Sequence, residues 1–161
     1  MGNPETEQIL KILNDLCHLE AAMAAYYLAC SEKWGLKSSL WMELALEEER
    51  HEKVIRDLIR VVETHPDQFE PGLTVESTTI ASYVDNVSEM TSDIMKGQVS
   101  FDAALSFALG MEESILEGRF FEVLISPNRK YLVFMETMSR ELADHRQRII
   151  VEIERSVNSD S

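Results

Sequence analysis

The sequence predicts an all-α chain: a four-helix bundle made of two antiparallel helix pairs joined by a long, partly helical crossover. Three observations carry this. Apolar residues recur at spacings of three and four almost throughout. Turn signals rich in Gly, Pro and Ser fall where two helical hairpins and a crossover over residues 64–100 would need them. No stretch reads as a strand. A chain of 161 residues with 45% hydrophobic content fits a single domain, residues 1–161, with a sizeable core.

The first helix places Ile9, Leu13, Leu16, Glu20, Met23, Tyr27 and Cys30 on one stripe. Gly35 in "KWGLKSS" ends it, and Ser38 or Ser39 caps the second. That helix carries Trp41, Leu44, Glu48, His51, Ile55, Leu58 and Val62 inward and stops before Pro66. The connector "HPDQFEPGLT" is turn-rich, and "STTIASYVDNVSEMTSDIMKG" reads as one or two shorter helices ending at Gly97. Ser100 caps a third long helix, "FDAALSFALGMEESILEGRFFEVLI", closed by "SPNRK". The fourth, "YLVFMETMSRELADHRQRIIVEIERS", aligns Tyr131, Phe134, Met138, Leu142, His145, Ile149 and Ile153. The tail "VNSDS" is expected to fray.

Charge and composition narrow the function classes. A net charge of −14 argues against nucleic acid and anionic membranes, both of which call for a basic surface. No apolar run is long enough to span a bilayer, and "MGNPETEQIL" is no secretory signal, so a cytoplasmic location is expected. Gly2 and Thr6 match the spacing of a myristoylation start, but no basic patch accompanies them. Cys17 and Cys30 form no Cys-x-x-Cys motif. They lie ~20 Å apart along one helix, too far for a disulfide. They read as reduced, buried thiols, and His18 and His65 as exposed.

Chemistry enters through acids on apolar stripes. Glu20 lies among Leu16, Met23 and Tyr27, where an unpaired carboxylate would cost several kcal/mol. In "ALEEERHEKVI", Glu48 and His51 sit three apart and project from one face. Such a mixed oxygen and nitrogen donor set suits iron, manganese or zinc. In "MSRELADHRQRI", His145 is again on the apolar stripe, but Leu142 stands three residues before it, and Glu141 is the nearest substitute. On the third helix Glu112 and Glu113 both qualify, Glu113 narrowly favoured, with Glu117 one turn on. Taken singly, His145 reads as a core histidine bonded to Glu141 or Asp144, and Glu48 with His51 as a solvated pair. Together they fall on four core stripes. Tyr26, Tyr27, Phe120 and Phe121 read as core packing, and Met111, Met135 and Met138 as gap fillers.

A Glu on helix one, Glu-x-x-His on helix two, a long crossover, a Glu on helix three and a His on helix four resemble the rubrerythrin and ferritin-like di-iron family, from Glu7 to Ile153. "EEERHEKV" is the most family-like stretch. The resemblance implies metal ligation by Glu20, Glu48, His51, Glu113 (or Glu112) and His145, with Glu141 a possible substitute. It implies iron, two ions where the site is complete, with zinc or manganese as alternatives. It implies peroxide reduction or iron oxidation, peroxide and an external electron donor as partners, and a homodimer. The chain departs from the family at Leu142, where a second bridging glutamate belongs, and in lacking a rubredoxin segment. Two other readings stand beside this one. The first is a single-metal binding protein without turnover. The second is a metal-free structural bundle whose acids pair with the histidines and with Arg119 or Arg140.

Overall fold

A computed structural model describes residues 3–159, so the Gly2 acylation start lies outside the described residues. Five helices dominate: α1 (Pro4–Trp34), α2 (Leu40–Thr64), α3 (Ser77–Met95), α4 (Phe101–Glu117) and α5 (Arg129–Ser159). Asn3 starts α1, its side chain accepting from the Glu5 amide at 3.1 Å, with Pro4 in the first turn. Gly35 follows the last residue of α1 with helical dihedrals, its N–H bonded to the Ser31 carbonyl. Ser39 caps α2 through its backbone alone, while Ser38 Oγ accepts from the Leu40 amide at 3.3 Å. α2 ends before Pro66, which cannot extend the backbone ladder. One helix, not two, fills the crossover. Lys96 follows it, and Gly97 turns the chain at φ 77, a left-handed conformation that glycine adopts without steric cost. Ser100 Oγ caps α4 by accepting from the Ala103 amide at 3.2 Å.

α1 packs along α2 and against α3, α4 packs against α5, and α2 touches α5. The apolar stripes of α1 and α2 are buried as their periodicity demands. Near the 35–39 connection, Tyr26, Tyr27, Trp34, Trp41 and Phe101 form an edge-and-tilt aromatic group. Tyr26 Oη donates to the Ala104 carbonyl at 2.6 Å, tying α1 to α4. Cys17 and Cys30 are buried free thiols, and His18 and His65 are exposed. Among the described residues, no helix is long and apolar enough to cross a membrane.

The second half corrects three expectations. α4 stops at Glu117 instead of running to Ile125, because Gly118 and the left-handed Arg119 break it. A β-carbon at Gly118 would strike the Phe120 ring, which folds back over it. Adjacent phenylalanines on a helix would point about 100° apart. Leaving the helix buries both Phe120 and Phe121. Short strands also exist: β1 (Glu70–Pro71) and β2 (Leu124–Ile125) pair antiparallel, Glu70 opposite Ile125, and pin the crossover to the α4–α5 connection. Finally, α5 continues through Val157 to Ser159, where fraying was expected. Residues 160 and 161 lie outside the described residues.

Candidate metal centre

Four helices, α1, α2, α4 and α5, each deliver an acid or a histidine to one buried cluster. Glu20 comes from α1, Glu48 and His51 from α2, Glu112 from α4 and His145 from α5, all at most 4% exposed. The helical register explains the convergence, since each residue occupies a stripe position that apolar neighbours force inward. Two donor groups result. Glu20, Glu48 and His51 form one, and Glu48, Glu112 and His145 the other, with donor atoms in each within 4.8 Å of one another. Glu48 belongs to both. Its Oε2 lies 3.1 Å from His51 Nδ1 and its Oε1 lies 3.0 Å from His145 Nδ1. Glu20 Oε2 approaches His51 Nδ1 at 3.5 Å, and Glu112 Oε1 approaches His145 Nδ1 at 3.6 Å. The two imidazoles stack 5.5 Å apart at 18°.

Each histidine therefore turns Nδ1 inward, and a carboxylate holds its outer nitrogen. His51 Nε2 meets Glu141 Oε2 at 2.7 Å, and His145 Nε2 meets Glu47 Oε2 at 2.6 Å. The two contacts cross between helices: α5 orients the α2 histidine and α2 orients the α5 histidine. Outer carboxylates of this kind set the tautomer and ring direction of a metal-ligating histidine. Arg50 holds Glu141 at 3.1 Å and Arg148 holds Glu47 at 2.5 Å. On α4, Tyr27 Oη donates to Glu112 Oε1 at 2.5 Å.

Two of the expected residues lie elsewhere. Glu113, favoured over its neighbour, is 40% exposed and pairs with Arg146 at 2.9 Å, while Glu112 takes the inward place. Adjacent helical positions diverge by about 100°, and the Ala104–Ala108–Glu112 stripe is the one that faces the core. Glu141 lies outside both donor groups, since its i−4 position puts it behind His51 instead of beside His145. Glu117 is exposed. Arg119 and Arg140 pair with Glu122 and Thr137, not with the cluster. Sequence reasoning missed Glu47, Arg148 and the Tyr27 hydroxyl. Aligning "EEERH" with "ELADH" pairs Glu47 with Glu141, a signal that was present in the sequence.

The donors fit a bound cation. The Glu112 Oε2 atom is buried without a hydrogen-bond partner, and His145 Nδ1 makes no aligned hydrogen bond despite its two nearby oxygens. Orphaned buried donors and acceptors are costly, and an ion between them would satisfy both. Without metal, protons do this work. Burial alone would lower both histidine pKa values, but the carboxylates of Glu20 and Glu48 raise His51 to about 10. Those of Glu112 and Glu48 raise His145 to about 11. Burial, reinforced by the Glu48 charge, pushes Glu20 well up, and burial also raises Glu112. Burial works against the charge on Glu48 as well, but hydrogen bonds from Glu20 and the two histidines hold its pKa low. Glu141 is lowered because bonding to His51 and Arg50 outweighs burial.

This sets a pH dependence. A raised folded pKa gives stability that is complete below the unfolded value of about 6.5 and is lost as pH climbs through about 10 and 11. Glu20 and Glu112 act in the same direction above the usual carboxylate range, while Glu48 and Glu141 oppose it only below that range. The melting temperature of metal-free protein is expected to fall between pH 6 and 9. Metal affinity should rise over the same interval, because the ions displace those protons. Melting curves and metal titrations at several pH values check both slopes, and a flat pair would contradict the proton-filled cluster.

No family model, curated protein or solved structure matches the chain. The site and the helices that build it define a helical, bundle-like protein with buried Glu/His clusters able to hold metal.

Proposed function

We propose that this chain is a ferritin-like di-metal carboxylate protein, similar to the helical part of rubrerythrin. In this reading it binds two divalent ions, iron foremost, and reduces peroxide or oxidises iron with electrons from an external donor. The observation that carries the reading is the sharing of Glu48 between two histidine-containing donor groups on four helices. Glu20 and His51 would hold one ion, Glu112 and His145 the other, and Glu48 would bridge them.

Two iron ions would supply electrons and Lewis acidity for cleaving an O–O bond between them. The chain's own residues prepare that step. Glu141 and Glu47 fix the imidazoles with Nδ1 inward, so the rings need no reorientation on loading. The Tyr27 hydroxyl holds Glu112 and directs its free Oε2. Arg50 and Arg148 neutralise the outer carboxylates, keeping those charges from competing for the ions. Apolar neighbours such as Met23, Ile55 and Leu142 exclude water.

The test is metal content after loading with ferrous iron, followed by peroxide consumption with a chemical reductant. Two ions per chain and reductant-dependent turnover are expected. One ion without turnover would define a binding protein, and none a structural bundle. Within the site, Glu112→Ala is expected to cost far more metal affinity than Glu113→Ala, which should stay near the parent. Equal losses would return Glu113 to the ligand set.

A further inference from the structure

Where α1 turns into α2, an otherwise acidic chain presents lysines and apolar side chains together. Leu36 is fully exposed and Met95 is 74% exposed, the most of any large apolar side chain among the described residues. Lys33 joins the two segments that carry them, its Nζ lying 3.5 Å from the Ile94 carbonyl and 3.4 Å from the Val99 carbonyl. Lys37 reaches over the Phe101 ring at 4.0 Å, and Lys96 follows the last residue of α3. Lys96 is paired with Asp93 at 3.7 Å, whereas Lys33 and Lys37 enter no ion pair among the described residues. A hollow of about 360 Å³ runs between Ser31 and Lys37, with Trp34 and Leu36 in its wall and Glu32 as its acid. In a chain of net charge −14 this corner is a local reversal of sign. Exposed apolar groups with a charged rim have the make-up of a protein interface.

An aromatic series leads from this corner to the buried cluster. Trp34 is half-buried, with Lys33 Nζ 4.9 Å from its ring centre. The ring centres of Trp34 and Trp41 are 6.4 Å apart, and those of Trp41 and Tyr27 are 6.1 Å apart. Tyr27 Oη then donates to Glu112 Oε1 at 2.5 Å. Electron tunnelling decays steeply with distance, and delocalised rings in near contact divide one long jump into short steps. Trp41 is fully buried, and its Nε1 has no hydrogen-bond partner among the described residues. With no base to receive the indole proton, Trp41 can pass an electron without exchanging a proton.

We propose that the Trp34 corner docks an acidic one-electron carrier protein and that electrons pass through Trp34, Trp41 and Tyr27 to the Glu/His cluster, a route that rests on the two-ion reading for its acceptor. Lys33 and Lys37 set the sign of the partner, and Leu36 and Met95 supply the apolar centre of the contact. Each docking oxidises the carrier by one electron and breaks no bond in the relay. Two dockings supply the two electrons that reduce one peroxide to two waters, with two protons taken from solvent. An anionic membrane would meet the lysines but be repelled by the rest of the chain, and it offers no electron.

The probe is a plant-type two-iron ferredoxin, which is acidic and carries one electron. Oxidised ferredoxin is first titrated calorimetrically into the metal-free full chain. Saturable one-to-one binding that weakens with added salt is expected, although the net charge alone predicts a repulsion that salt relieves. K33E/K37E, which reverses two exposed charges, should weaken binding roughly tenfold or more. The chain is then loaded with iron and oxidised in air. Reduced ferredoxin is mixed in without oxygen, and its own absorbance reports the electron it loses. The parent should oxidise it. W34L should slow the transfer severalfold at saturating ferredoxin, with iron content and binding unchanged, and K33E/K37E serves if W34L does not fold. No binding, binding strengthened by salt, or equal binding by K33E/K37E would overturn the docking surface whatever the iron content. Binding to phosphatidylglycerol vesicles but not to ferredoxin would overturn it in favour of a membrane. Equal rates in W34L and parent would overturn the aromatic route. Ferredoxin binding without iron uptake would overturn the two-ion reading and the route with it, and leave the docking surface standing.

Discussion

Replacing Glu48 by alanine is expected to strip both ions from the protein. Among the described residues Glu48 alone touches both histidines, with one carboxylate oxygen facing each. Its loss leaves each ion one carboxylate and one imidazole and removes a third of the anionic charge. Glu141→Ala supplies the comparison. Glu141 orients His51 from behind, and removing an outer partner of this kind costs about 10–100-fold in metal affinity. Glu48→Ala should exceed that range for both ions together. Metal per chain after dialysis, measured for the two variants, checks the order. Equal losses would place Glu141 among the ligands, and loss of a single ion from Glu48→Ala would show that Glu48 is not shared.

Leu142→Glu is expected to invert the dependence of stability on metal. Without metal, it replaces a packed leucine with a carboxyl group and costs about 2–3 kcal/mol. For a chain of this length that lowers the melting temperature by roughly 5–10 °C. With metal, a fourth carboxylate adds one more anionic ligand to Glu20, Glu48 and Glu112. Each hundredfold gain in affinity returns about 2.7 kcal/mol to the folded state under saturating metal. The variant should therefore melt below the parent when metal-free and at or above it when loaded. A variant that is destabilised and stays so in saturating ferrous iron or Mn2+ would show that position 142 does not face the ions.

The helices and most of the site could be read from the chain because both depend on local register. Glu20, Glu48, His51 and His145 each sit where three-and-four spacing forces an inward direction, so their meeting follows once four stripes share a core. Glu112 and Glu113 could not be separated on that basis. Both have apolar neighbours at helical spacing, and which one faces the core depends on how α4 is rotated against α1 and α5. The structure resolves this through contacts distant in sequence: Tyr27 reaches Glu112, and Arg146 reaches Glu113. The end of α4 was equally hidden. Helix propensity runs on through "GRFFEVLI", but burying two adjacent phenylalanines and pairing β2 with β1 outweigh it. Glu47 escaped notice because "EEERHEK" is charged on all sides, and Glu141 read as a substitute beside His145 where the structure sets it on His51. Only the mirrored spacing before His145 distinguishes Glu47 from its neighbours.

The proposed metal chemistry depends on two ions sharing Glu48 between the stacked histidines. Anomalous diffraction from crystals of the iron- or manganese-loaded protein, collected on either side of the metal absorption edge, tests it most directly. Two peaks are expected inside the bundle, about 3.5–4 Å apart. One should lie against Glu20 and His51, the other against Glu112 and His145, with Glu48 touching both. A single peak, or peaks confined to surface carboxylates with the cluster still closed on its own protons, would contradict it.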